Sequence, residues 1–177
     1  MMKTNGAQEQ REAGIVRPAG AGRVVSLGAA GVVTLKLVGA ESAGNMAAYE
    51  FVIPAATAGP PLHLHRTWDE AFFVLEGEVT FLIAGQTHAA DAGAFVFVPR
   101  GVEHTFWNAC ATLARQLVVF TPSGIEAYFD AASQVLAGAD EESLEAAIGL
   151  MEQHDMVVRS TTQPAYGALA PSGRPGS

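Results

Sequence analysis

The sequence predicts an all-β domain, an antiparallel sandwich or barrel, followed by two α-helices. Short runs rich in Val, Ile, Phe and Thr succeed one another between residues 23 and 120. They recur at about 8 to 16 residues with Gly or Pro between them, the pattern of many short antiparallel strands. Beyond residue 122 the apolar period changes from 2 to 3.6. The predicted strands are RVVSL (23–27), VVTLKLV (32–38), MAAYEFVI (46–53), EAFFVL (70–75), EVTFLIA (78–84), AFVFVP (94–99), HTFWN (104–108) and TLARQLVVF (112–120). Ser123-Gly-Ile-Glu126 reads as a capping box that starts the first helix. Ile125, Tyr128, Phe129, Ala132 and Leu136 form its apolar stripe. A second helix starts at Asp140, with Leu144, Ala147, Ile148 and Met151 on one face. Both stripes are modest, so the helices are expected on the outside of the barrel or across a dimer contact. The resulting plan is a disordered arm over 1–20, a barrel over 21–121, a helical extension over 122–159 and a disordered tail over 160–177. No internal repeat or second domain is evident.

Composition excludes several function classes. The chain has 177 residues, enough for one well-buried domain. Its net charge of −8 disfavours a nucleic-acid or anionic-membrane surface, so no nucleic acid and no membrane are expected as partners. Ser26, Lys36 and several glycines interrupt the most hydrophobic stretch before it reaches the roughly 18 residues of a membrane span. The first residues, MMKTNGAQEQREAG, lack the apolar core of a signal peptide. Cys110 is the only cysteine, so no intrachain disulfide can form and the cytoplasm is the expected compartment. Its expected role is that of a small buried apolar residue.

The chemistry concentrates in His63-Leu64-His65, Glu70 and His104. Strand side chains alternate faces, so His63 and His65 point the same way. Gly59-Pro60-Pro61 before them is a turn that cannot continue a central strand. Glu70 opens the next run and shares its face with Phe72 and Val74, and the following turn falls at Glu76-Gly77-Glu78. His104 shares its face with Phe106 and Asn108. Neighbouring strands lie about 4.8 Å apart, so inward ligands on adjacent strands can reach one ion. Three imidazoles and a carboxylate suit a divalent metal: Fe, Ni, Co, Cu or Zn by the imidazoles, with Mn admitted by the carboxylate. Four protein ligands on an octahedral ion leave two positions for water or substrate.

These residues resemble the two motifs of the cupin superfamily. The first motif, G-x5-H-x-H-x3or4-E-x6-G, is met from His63 through His65 and Glu70 to Gly77, while Gly59 stands two residues closer than the leading glycine. The second, G-x5-P-x-G-x2-H-x3-N, is met in full by Gly93, Pro99, Gly101, His104 and Asn108. The resemblance covers about residues 45 to 120. It implies a double-stranded β-helix, or jelly-roll barrel, holding one divalent metal (Fe, Ni, Mn, Co or Zn) through His63, His65, Glu70 and His104.

A single barrel followed by helices looks most like the quercetin- or flavonol-dioxygenase-like group. That likeness implies a dioxygenase acting on a small hydroxylated aromatic or enolic molecule, with Glu70 as catalytic base. A non-redox cyclase, isomerase or lyase and a non-catalytic small-molecule binder are the alternative readings. Alternation makes Phe72 and Phe106 the candidate pocket residues. Trp68, Phe95, Phe97 and Trp107 are read as core, His88 and His154 as hydrogen-bonded core histidines, Asn108 as barrel framework and Asp69 as solvated. Exposed edge strands and appended helices point to a homodimer.

Overall fold

Alternation of buried and accessible side chains runs the length of the long strands and decides which residues face inward. The computed structural model describes residues 14–136 and 141–160. Its strands are β1 (Arg23–Ser26), β2 (Val32–Leu37), β3 (Ala47–Ile53), β4 (Leu62–His65), β5 (Asp69–Glu76) and β6 (Glu78–Ile83). Then follow β7 (Gln86–Asp91), β8 (Phe95–Val98), β9 (His104–Trp107), β10 (Ala114–Thr121) and β11 (Met156–Ser160). The helices are α1 (Ile125–Val135) and α2 (Glu141–Gln153). Ala47, Tyr49, Phe51 and Ile53 of β3 point inward, as do Ala114, Gln116, Val118 and Phe120 of β10.

Two antiparallel sheets face each other in a jelly-roll barrel. One has the order β1-β2-β3-β10-β5-β8 and the other β11-β4-β9-β6-β7. Their inner faces meet in one core, centred on the fully buried Phe72, Phe81 and Phe120. Among the described residues no helix is long and apolar enough to cross a membrane.

The eight expected strands are all present, and the structure adds three: β4, which carries the alternating His63 and His65, β7 and β11. β7, QTHAAD, carries no alternating apolar signal and is mostly exposed. It is a strand because Ala84 and Gly85, both at positive φ, turn β6 back on itself with Ile83 opposite Gln86. β11 lies in the stretch expected to be purely a helical extension. It pairs with β4, placing Met156 opposite His65 and Val158 opposite His63, so β4 has a neighbour on each side.

The helices also depart from expectation. Ser123 does not cap α1; its N-cap is Gly124, at φ 135°. The Glu126 carboxylate instead accepts the Gly124 N–H at 3.0 Å and the Gly39 N–H at 2.8 Å, tying α1 to a helical turn at Gly39–Ser42. Neither helix is an external decoration. Ile125, Phe129 and Met151 join the barrel's core, because the α1–α2 pair folds back through β11.

Two aromatic residues expected in the core are on the surface. Phe95 and Phe97 are 66% and 54% exposed, because β8 is an edge strand and they occupy its outer face. His88 on β7 is likewise exposed rather than buried. Of the arm and tail expected to be disordered, residues 1–13 and 161–177 lie outside the described residues, and Ser160 ends β11.

Candidate metal centre and cavity

β4 carries His63 and His65 inward, and β9 places His104 directly opposite His63. Glu70 arrives from the other sheet, on β5 between Phe120 and Val98. The four residues therefore converge across the barrel interior rather than along one sheet. His63, His65, Glu70 and His104 are 4%, 2%, 2% and 0% exposed. One ligand atom from each of the three histidines lies within 4.8 Å of the others. Glu70 Oε2 stands 2.9 Å from His104 Nε2 and 3.3 Å from His65 Nε2.

The backbone aims the imidazoles. His63 Nδ1–H donates to the Pro61 carbonyl at 2.8 Å, and His104 Nδ1–H donates to the Val102 carbonyl at 3.0 Å. Each bond selects the tautomer that turns Nε2 inward, the usual outer support of a metal-ligating histidine.

The Gly59-Pro60-Pro61 segment that orients His63 lies against β9. Thr105 Oγ1–H donates to the Pro60 carbonyl at 2.6 Å, and a Cβ on Gly59 would fall 1.4 Å from the Phe106 carbonyl oxygen. Glycine at 59 is thus dictated by a close backbone approach, whatever its offset from the motif.

Asn108 is framework, as expected. Its fully buried amide donates to the carbonyls of Ile53, Pro54 and Thr112 and accepts the Cys110 N–H. Gly101, at φ 83°, donates its N–H to the His65 carbonyl at 2.7 Å and so holds the loop before β9 against β4.

The electrostatics favour the ligand-competent states of His63 and Glu70, whereas Glu70 draws a proton towards His104. Burial, reinforced by the neighbouring His104 and His65, pushes the His63 pKa down to about 3, so its imidazole is neutral. Burial opposes ionisation of Glu70, but the facing imidazoles of His104 and His65 outweigh it and lower the carboxyl to about 2. Burial likewise works against the His104 cation, and Glu70 reverses the balance and raises its pKa. Asp69, one residue away on the outer face, is not merely solvated. It pairs with Arg100 at 2.7 Å and accepts the Arg100 backbone N–H at 2.9 Å.

One observation tests whether this set fits a metal. Nδ1 of the buried His65 has no hydrogen-bond partner among the described residues, and Nε2 meets only the Glu70 carboxylate, at 3.3 Å. A buried imidazole short of partners is costly, and an ion at this point would satisfy Nε2. Three neutral-capable imidazoles and an ionised carboxylate are also a suitable donor set. The residues fit a divalent cation.

A cavity of about 140 Å³ reaches His63, His65 and Glu70. Ile125 and Phe129 of α1 and Ala147 and Met151 of α2 form its far wall. Phe106 lines it as expected, but Phe72 does not. The Phe72 ring is fully enclosed between Phe81, at 5.0 Å, and Phe106, at 5.6 Å, one layer deeper in the barrel. Tyr49 and Tyr128 also line the cavity and were not singled out from sequence. Alternation along MAAYEFVI restricts the inward residue to Tyr49 or Glu50 without choosing between them. The register with β10 chooses Tyr49.

Residues 49–120, which hold all four candidate ligands, match the cupin domain family. Over these residues the chain is similar to that family, and its two sheets have the jelly-roll arrangement of a cupin barrel. Comparison with curated proteins finds no match. Among solved structures, a protein described as a predicted oxalate decarboxylase from Thermotoga maritima is 21% identical, covers 61% of this chain and 98% of its own, and superposes with a TM-score of 0.53. KdgF from Halomonas sp. is 12% identical over 59% of this chain and 90% of its own, with a TM-score of 0.53. An RmlC-like cupin from Shewanella frigidimarina is 20% identical over 62% and 92%, with a TM-score of 0.52. At these identities the likeness is one of fold.

Proposed function

We propose that this protein is a metal-dependent cupin enzyme, a dioxygenase of a small hydroxylated aromatic or enolic compound. The observation that carries the reading is the buried cluster of His63, His65, His104 and Glu70 at one end of an apolar cavity, with His65 otherwise unpartnered. A divalent ion such as Fe, Ni, Mn, Co or Zn, held by these four residues, would supply Lewis acidity that lowers the pKa of a substrate hydroxyl.

The remaining work belongs to the chain. Glu70 is ionised and faces the cavity, so it accepts the hydroxyl proton. The carbon walls of α1 and α2 exclude water from the deprotonated substrate and orient it by shape.

Metal analysis of the purified protein, followed by oxygen uptake with a flavonol and with single-ring enols under Fe, Ni, Mn or Co, tests the reading. Stoichiometric metal and substrate-dependent oxygen consumption are expected. Metal without oxygen uptake under any of these ions would remove the dioxygenase and leave proton-transfer chemistry at Glu70.

A further inference from the structure

The cavity is chemically uneven. Apart from His63, His65 and Glu70, its only polar side chains among the described residues are those of Tyr49 and Tyr128. Tyr49 is 3% exposed and held by Phe120, stacked at 6.0 Å, and by Phe129, edge-on at 4.8 Å. Both phenols line the cavity, so each can offer its O–H to an occupant. Burial and then the charge of Glu70 push the Tyr49 phenol well above its ordinary pKa, and burial pushes Tyr128 up to about 12. Both therefore stay protonated.

Two further features narrow the occupant. No lysine or arginine lines the cavity among the described residues, so a phosphate or a second carboxylate would be buried unpaired. A polyol would likewise leave most of its hydroxyls against carbon. The volume is that of a small ring: an apolar cavity of about 150 Å³ holds a benzene molecule, and this one, which is partly open, is about 140 Å³.

We propose that the cavity takes a neutral molecule about the size of one six-membered ring, bearing two oxygen functions. One faces the histidine cluster and the other accepts a hydrogen bond from Tyr49. The first contact rests on the metal reading above; the second stands without it. Tyr49 is thus a positioning and specificity residue, and Ala147 and Ile148 on α2 set the size limit.

Calorimetric titration with maltol, which carries both oxygen functions, and with p-cresol, which carries only the one that Tyr49 would meet, run alongside metal analysis of the same samples, tests this. Both ligands are expected to bind, and quercetin and glucose 6-phosphate to bind at least tenfold more weakly. Tyr49→Phe should weaken both small ligands about three- to tenfold, the loss of one hydrogen bond, with metal content unchanged. Ala147→Phe should abolish binding and also leave the metal in place. Should Ala147→Phe fail to fold by far-UV circular dichroism, Ile148→Trp, at a half-buried position, fills the same space. Wild-type affinity in Tyr49→Phe and in the folded filling variant, or quercetin binding as tightly as maltol, would overturn the assignment. Protein without metal that still binds p-cresol in a Tyr49-dependent way would support it and remove only the metal reading.

Discussion

Three imidazoles and one carboxylate share a buried space in which they cannot all satisfy one another. His63 and His104 each donate one N–H to a carbonyl and turn the other nitrogen inward, whereas His65 Nδ1 has no partner among the described residues and Nε2 meets only Glu70, at 3.3 Å. His65→Ala should therefore remove most of the bound metal, measured by elemental analysis, and leave a folded barrel by circular dichroism. His63→Ala and His104→Ala should behave alike, and stoichiometric metal in any of the three would refute the ligand set. Glu70→Gln separates base from ligand: activity should fall further than metal content, and equal losses would make Glu70 a ligand only. Asn108 is the opposite kind of polar residue, satisfied at every position. Asn108→Ala strands three carbonyls and one N–H and should cost about 2–4 kcal/mol in urea denaturation. Little loss would show that water replaces the amide.

At the scale of elements, the site depends on how neighbouring segments are pinned. The Gly59-Pro60-Pro61 segment holds His63 through a carbonyl and lies too close to β9 for any side chain at 59. Gly59→Ala should push that segment off β9 and cost about 3 kcal/mol, with weakened metal retention following. An unchanged melting temperature would show that the segment can yield. β11 is pinned by Asp155, which stands at φ 68° and accepts hydrogen bonds from the Thr67 N–H at 2.8 Å and the Thr67 hydroxyl at 2.6 Å. Asp155→Ala should speed hydrogen exchange over 156–160 and loosen α2 against the cavity. Protection equal to wild type would mean that the β4–β11 ladder suffices alone.

For the molecule as a whole, one outer face is apolar. Phe73 and Leu75 of β5 adjoin Phe95 and Phe97 of the edge strand β8, with Phe73 opposite Phe95. We propose that a second copy of the chain covers this face, since an edge strand unpaired among the described residues, beside an aromatic patch, can pair about a twofold axis. Phe95→Lys combined with Phe97→Lys should convert a homodimer to a monomer in light scattering. A dimer that survives both changes would place the interface elsewhere.

Residue types and spacing alone determined the barrel, eight of its eleven described strands and the four-residue cluster, because alternation and turn residues act locally. The motif register from His63 to Gly77 and from Gly93 to Asn108 needed no coordinates. The order of strands across the two sheets was decided only by tertiary structure. That order brings Glu70 to the histidines from the opposite sheet and enlists a weakly patterned tail segment as β11. It also folds two modest helices over the site, selects Tyr49 over Glu50, and places Phe72 in the core and Phe106 at the cavity. A local pattern can state which face a side chain takes. What lies across that face depends on pairings between residues far apart in the chain.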